Sequence, residues 1–332
     1  MYSNQDNNDN ELSSLPLTYV NEAIPGNAPT PLRCITFDLD DTLWETSPII
    51  KHANNILQAH LNRTLLSPPP PIYTIMKQLY LATPTLYYSK NIFPPSSPPP
   101  PDPVNLTLLR KHAIAHVASG TNYVTPETEI AFDVWFKARH TSIPEHLAPT
   151  VLTTLKHLRD KYPDLVIGAI TNGNGDPKNV EVLSEFFDFC VNSEQVGVAK
   201  PHPEIYKASL STITSLLPAL APCSQNGWWC HVGDDMLKDC VAAKEFGCKT
   251  VLTREFKLMK DARVGSSDET GVHVGVTEED RLGALMSQVN DIRMQIGADD
   301  YLESSMQEKF CDAVVDTFEG IIPLIDRWMK TD

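Results

Sequence analysis

The sequence predicts an α/β protein: a three-layer parallel sheet with a mostly helical second domain inserted after the first strand. Three observations predict it. Short runs rich in β-branched, aromatic and Cys residues recur along the chain, amphipathic helical patterns sit between them, and about 105 residues separate the first run from the helix that leads to the second. Strands alternating with helices imply βαβ units and a sheet covered on both faces. An interval that long is more than a crossover.

Taken in order, residues 1–31 are rich in Asn, Asp, Ser and Pro and read as a disordered leader. LRCITFDLD, starting at Leu32, is the first strand. The core is expected over 32–44 and 148–332, and the helical insertion over 45–147, with helices near 48–63, 105–119 and 126–140. Two Pro clusters, Pro68–Pro71 and Pro94–Pro103, read as stiff loops, with docking of SH3 or WW domains as the alternative. A helix over 150–161 follows from the spacing of Val151, Leu155 and Leu158. The next strands are DLVIGAITNGNG (164–175) and FFDFCVNS (186–193), then a helix over 203–217 opening on Pro203. GWWCHVGDD (227–235) is the fourth strand. The helix after it, 236–246, is expected to turn Met236, Val241 and Phe246 inward and to stop at Gly247. GCKTVLT (247–253) and CDAVVDT (311–317) are further strands, and 318–330 is a closing helix. The polar, partly helical stretch 255–306 carries no functional signal.

Composition narrows the function. In 332 residues, 42% hydrophobic and 21% charged residues are globular values. Forty-two acidic against 27 basic residues give a net charge of −15, which excludes general binding to nucleic acid or an anionic membrane surface. No apolar run is long enough to span a bilayer. The N-terminus lacks the basic start and apolar stretch of a secretory signal. Seven scattered cysteines with no CxxC pair read as reduced, buried thiols, and a cytoplasmic protein is expected.

Chemistry concentrates at strand ends. CITF runs directly into Asp38-Leu39-Asp40-Asp41-Thr42. Two like charges about 4 Å apart repel by roughly 4 kcal/mol at an effective dielectric of 20, so such a cluster needs solvent, a proton or a cation. An acidic helix cap at Asp41 or Thr42 is the bland alternative. The second strand ends in Thr171-Asn172-Gly173, an isolated Lys200 sits in GVAKPHPEIY, and the fourth strand ends in Gly233-Asp234-Asp235 with Asp239 close behind. In open α/β sheets, ligands bind outside the carboxyl ends of strands, where all of these fall.

FDLDDTLW, AITNGNG, VAKPHPEIY and HVGDDMLKDCVAAKEFG, in this order, resemble the four motifs of the haloacid dehalogenase superfamily of phosphohydrolases. The resemblance covers about 33–57 and 148–253. It implies a Rossmann-like core with a helical cap, and the wording is most similar to the bacterial flavin mononucleotide phosphatases, which also act on the phosphoribitylaminouracil intermediate of riboflavin synthesis. By that resemblance Asp38 is the nucleophile and Asp40 the general acid and base. Mg²⁺ would be held by Asp38, the main chain of Asp40, and Asp234. Asp235 and Asp239 would hold a metal-bound water or orient Lys200, and Thr171, Asn172 and Lys200 would bind the phosphoryl group. Cap-side candidates for contacting the rest of a small phosphate ester are Trp44, Arg110, Trp135 and Arg139, by stacking on a flat ring or meeting its polar edge. His231 is expected to be structural. The expected function is therefore a Mg²⁺-dependent phosphatase acting through an aspartyl-phosphate on a small metabolite, flavin mononucleotide or the phosphoribitylaminouracil among them. A nucleotide 5′-phosphatase or sugar phosphatase is the alternative, and a catalytically idle scaffold with Pro-rich docking loops is the alternative of another class.

Overall fold

The computed structural model describes residues 17–20, 31–87, 104–217, 227–265 and 300–330. Its centre is a seven-stranded sheet. The strands are β1 (Leu17–Val20), β2 (Cys34–Phe37), β3 (Val166–Thr171), β4 (Phe189–Asn192), β5 (Trp229–Gly233), β6 (Lys249–Thr253) and β7 (Ala313–Val315), in the spatial order β1-β7-β6-β5-β2-β3-β4. Six are parallel, and β1 adds antiparallel to β7 at the edge.

The order explains the composition of β2. It is the central strand, with Cys34 level with Val166 of β3 on one side and Trp229 of β5 on the other, and all four of its residues are buried. A strand covered on both faces reads as an unbroken apolar run. Ile35 and Phe37 point to one face, where α5 (Val151–Lys161) and the C-terminal helix Ile321–Met329 supply Leu155, Leu158, Ile321 and Leu324. Cys34 points to the other, toward Ile205 and Ile213 of helix Pro203–Leu216. From β2 the chain builds the sheet outward in both directions, to β3 and β4 on one side and to β5, β6 and β7 on the other. The end of β2 is therefore the point where strand order reverses, the place such sheets bind ligands. Gly168 of β3 lies level with Phe189, and a Cβ there would stand 2.2 Å from the Phe189 ring, so the close approach requires glycine.

Among the described residues, four helices stand between β2 and α5: α1 (Thr46–Thr64), α2 (Ile72–Ala82), α3 (Leu106–Ser119) and α4 (Pro126–Ser142). They bury a core of their own. Ala53, Leu57 and Leu61 recur every fourth residue on α1 and meet Ile75, Met76 and Tyr80 of α2, Leu109 and Ala113 of α3, and Phe132 and Trp135 of α4. Asn105 caps α3 through Leu108 N–H, and Thr125 caps α4 in a reciprocal pair with Thr128. This is the helical cap that the resemblance implied.

Several expectations change. Leu17–Val20, within the expected leader, forms β1, while 1–16 and 21–30 lie outside the described residues. Helix α2 follows Pro71 and was not expected, because the Pro cluster before it masks its start; Pro68–Pro71 is the exposed link between α1 and α2. Pro94–Pro103 and 266–299 lie outside the described residues. Met236, Val241 and Phe246 are only half-buried, and Asp239, Cys240, Ala242 and Ala243 are buried instead. The cause is a π-helical turn over Met236–Val241, whose extra residue rotates the inward face away from a 3.6-residue period. Of the cysteines, five of the six described are buried and Cys190 is half-buried, all as free thiols. Among the described residues, no helix is long and apolar enough to cross a membrane.

Candidate active site

The chain leaves β2 at Asp38 and makes one tight helical turn. Thr42, Leu43 and Trp44 all send their N–H back to Leu39 O, and Asp41 adopts φ 60°, a left-handed conformation that Asp tolerates better than most residues. This turn aims Asp38 and Asp40 at the strand-end crevice. Asp41 secures it from behind: one carboxylate oxygen accepts Thr46 N–H at the start of α1, and the other pairs with Lys260 at 2.9 Å. Lys260 belongs to helix Glu255–Gly265, so part of the stretch without a sequence signal braces the turn that carries Asp38 and Asp40.

Lys200 lies at the centre, 3% exposed. Its ammonium donates to Asp38 Oδ1 at 2.6 Å and to Asp239 Oδ1 at 2.7 Å. Burial opposes its charge, but the two carboxylates outweigh burial and hold its pKa above the ordinary lysine value. Asp239 shows the same balance: burial pushes its pKa up, while Lys200 and His231 bring it well below the carboxylate range. Asp38 answers differently. Burial dominates and, with Asp239 adding repulsion, raises it to about 7 against the pull of Lys200. Two acids share one ammonium, and the second remains short of positive charge.

Asn172 sets Lys200 in place. Its amide donates to the Lys200 carbonyl at 2.9 Å and accepts Lys200 N–H at 2.7 Å, a two-point grip on the main chain of the next strand's loop. The expectation for Asn172 was contact with the phosphoryl group, and nothing in the motif signalled this side-chain grip on Lys200. Thr171, 1% exposed, accepts Gly173 N–H through its hydroxyl oxygen and has no acceptor for its own proton among the described residues. Gly173 is confined for a second reason, since a Cβ there would lie 2.9 Å from Asp40 Oδ2. Asp40 Oδ1 accepts from Trp44 Nε1 at 2.9 Å and from the Thr46 hydroxyl at 3.0 Å, while Oδ2 is the oxygen turned toward Gly173.

Asp234 joins from the end of β5. Carboxylate oxygens of Asp38, Asp234 and Asp239 lie within 4.8 Å of one another, and the Thr42 hydroxyl reaches Asp234 at 3.3 Å and Asp38 at 3.5 Å. Asp234 is solvent-exposed at the mouth of the group, and the surrounding protein's desolvation with the charges of Asp38 and Asp239 pushes its carboxyl up. Three acids facing one lysine form a hard-oxygen donor set short of one or two positive charges, which fits a Mg²⁺ ion. The Asp235 carboxylate caps the π-helical turn through Leu237 and Lys238 N–H and pairs with the Lys238 ammonium, while its main-chain N–H donates to Asp239 Oδ2 at 3.1 Å.

His231 has more to do than fill the sheet. Its Nε2 lies 3.1 Å from Asp239 and its Nδ1 2.9 Å from the Thr36 hydroxyl, which also receives Trp229 Nε1. Burial lowers its pKa, so a neutral ring with Nε2–H donates to Asp239 and holds that carboxylate toward Lys200. Gly233 permits the packing, since a Cβ there would stand 2.2 Å from Asp239 Cγ.

The cap candidates divide. Trp44 and Trp135 are 0% and 1% exposed, with their indole N–H groups committed to Asp40 and Asn54. Neither offers a face to a flat ring, which corrects the stacking expectation. Arg139 enters from α4, donates to Asn174 Oδ1 at 2.6 Å and lies 3.7 Å from Asp40 Oδ1. Arg110 stacks on Trp135, 3.6 Å from the ring centroid. A cleft of about 490 Å³ opens between cap and core, lined by Thr107, Phe132, Phe136, Asn174, Asn192 and Glu194 among others.

A family model for haloacid dehalogenase-like hydrolases matches residues 32–247. The chain is 24% identical over 227 residues to the 5-amino-6-(5-phospho-D-ribitylamino)uracil phosphatase YigB of Escherichia coli strain K12, covering 67% of this chain and 84% of that protein. It is 30% identical over 137 residues to the glyceraldehyde 3-phosphate phosphatase of Pyrococcus furiosus, covering 40% of this chain and 52% of that one. In structure it is similar to a 2-haloacid dehalogenase from Pseudomonas syringae pv. Tomato DC3000, with a TM-score of 0.51 and 22% identity over 76% of this chain and 99% of that one, a likeness of fold.

Proposed function

The chain belongs to the haloacid dehalogenase-like hydrolases, and on that premise we propose that it is a Mg²⁺-dependent phosphomonoesterase working through a phospho-aspartate at Asp38. The observation that carries the reading is the buried set Asp38, Lys200 and Asp239 at the switch point of the sheet, with Asp40 beside it and Asp234 at its edge.

Asp38 attacks phosphorus, the bond from phosphorus to the ester oxygen breaks, and Asp40 delivers its Oδ2 proton to the departing alkoxide. A water then attacks the phospho-aspartate, Asp40 takes the water's proton, inorganic phosphate leaves and Asp38 is restored. Dividing the displacement into two steps replaces one difficult barrier with two lower ones. The phosphoryl group spreads charge over three oxygens. The third N–H of Lys200 and the free hydroxyl proton of Thr171 face that charge, already oriented by Asn172 and Gly173. Asp38 and Asp234, with the main chain of Asp40, would hold Mg²⁺, which when bound neutralises the surplus acid and the phosphoryl oxygens. Asp40 is the group a dehalogenase has no use for, since a departing halide needs no proton.

Likeness to YigB supports a phosphoribityl substrate, and the flavin mononucleotide reading follows the same line. The enclosed tryptophans lend no support to ring stacking. The test is release of p-nitrophenol from p-nitrophenyl phosphate with and without Mg²⁺. Release that is independent of Mg²⁺, or unchanged by Asp38→Asn, would favour the idle scaffold. A panel of flavin mononucleotide, nucleotides and sugar phosphates then ranks substrates.

A further inference from the structure

Arg110 is an anomaly of the cap. It is 6% exposed, no hydrogen bond or ion pair reaches its guanidinium among the described residues, and its Nε is enclosed without a partner. A buried charge is costly and ordinarily paired, and here only the attraction of Glu194 offsets it. Its one strong contact, the Trp135 ring at 3.6 Å, orients the guanidinium without neutralising it. A second buried guanidinium, Arg139, lies over the same indole at 5.9 Å and is 2% exposed. Burial and the repulsion from Arg139 bring Arg110 down to about 9, with Glu194 opposing; the Glu194 carboxylate is engaged by Thr107 N–H.

We infer that Arg110, with Arg139, seats a second anionic group on the leaving portion of the substrate, a carboxylate or a second phosphate. The inference rests on the phosphatase reading and adds the substrate class. Arg139 lies 3.7 Å from Asp40, the residue that protonates the leaving oxygen, so the seat opens on the alkoxide side of the scissile bond. Planar, forked donors suit carboxylate and phosphate alike.

The experiment compares wild-type kcat/KM on pairs that differ only in the distal group: 2-phosphoglycolate against 2-hydroxyethyl phosphate for a carboxylate, and propanediol bisphosphate against propanediol monophosphate for a phosphate. The expected result is a preference of about 10–100-fold for the charged member of one pair, which also identifies the source of the anion. Arg110→Gln is expected to erase most of that preference through KM, and Arg110→Lys to retain part of it. Equal kcat/KM within both pairs, or an equal loss on both members in Arg110→Gln, overturns the inference. The wild-type ratio decides by itself if the variants do not fold. If no ester is hydrolysed, including p-nitrophenyl phosphate, the phosphatase reading fails. Calorimetry in Mg²⁺ with phosphonoacetate against ethylphosphonate then still decides the seat, because equal affinity of the two overturns it and tighter phosphonoacetate supports it.

Discussion

The molecule buries two clusters of charge, one in the core and one in the cap, and they are built on opposite plans. In the core, Lys200 is satisfied twice over, by Asp38 and Asp239, and the acids around it outnumber it. In the cap, Arg110 and Arg139 are buried together, and among the described residues Arg110 has no hydrogen bond or close ion pair, only the more distant attraction of Glu194. The core cluster is a network whose removal leaves charges exposed to one another. The cap cluster is a surplus that the cap carries without internal compensation. On the proposed reading, a phosphoryl group with its cation would complete the first and an anion the second.

Breaking the core plan has the largest effects. Asp38→Asn removes the attacking carboxylate and should lower kcat on the order of 10⁴-fold or more, read as phosphate release with Mg²⁺ present. Lys200→Met leaves two buried acids facing each other without their cation. Loss of one member of a buried ionic set costs about 3–5 kcal/mol, to be measured by urea unfolding. Gly233→Ala places a methyl 2.2 Å from Asp239 Cγ, so Asp239 must turn from Lys200 and His231. Overpacking of this kind costs about 1–3 kcal/mol, and the turnover should fall with it.

The cap predicts smaller effects. His140 is 6% exposed, donates Nδ1–H to Phe136 O, and has no partner for Nε2; burial, the largest influence, lowers its pKa. A histidine held below its unfolded value stabilises the fold above the unfolded pKa, and that stability is lost as pH falls. The melting temperature should therefore drop below about pH 6.5, and less steeply in His140→Gln. Arg110→Met sharpens the comparison most. A charge with no partner leaves nothing unpaired when replaced, so the change in unfolding free energy should stay within about 1 kcal/mol, against the several expected for Lys200→Met.

How far the sequence reveals this depends on how local each determinant is. CITF-DLDDT is legible because strand, turn and carboxylates follow one another directly. Thr171, Lys200 and Asp234 are legible because each ends a strand or precedes a helix, where parallel sheets place ligands. What is hidden is non-local. β1 is four residues in a polar stretch, and its partner β7 is close to the other end of the chain. The pairing of Asn172 with the Lys200 main chain, and of His231 with Asp239, exists only once strands are side by side. The π-helical turn defeats a 3.6-residue period over Met236–Val241 and sends Asp239 inward in place of Met236. Trp135 and Arg110, on different helices, reveal their stacking only after α3 meets α4.

The two passages between core and cap are stitched together. Glu45 N–H reaches His146 O, Ala148 N–H reaches Leu43 O, and Trp44 bridges Leu147 in antiparallel fashion. Trp44 sits inside this seam and its indole N–H grips Asp40, so any displacement of the cap at the seam would reach the carboxylate proposed as the proton donor through a single aromatic ring.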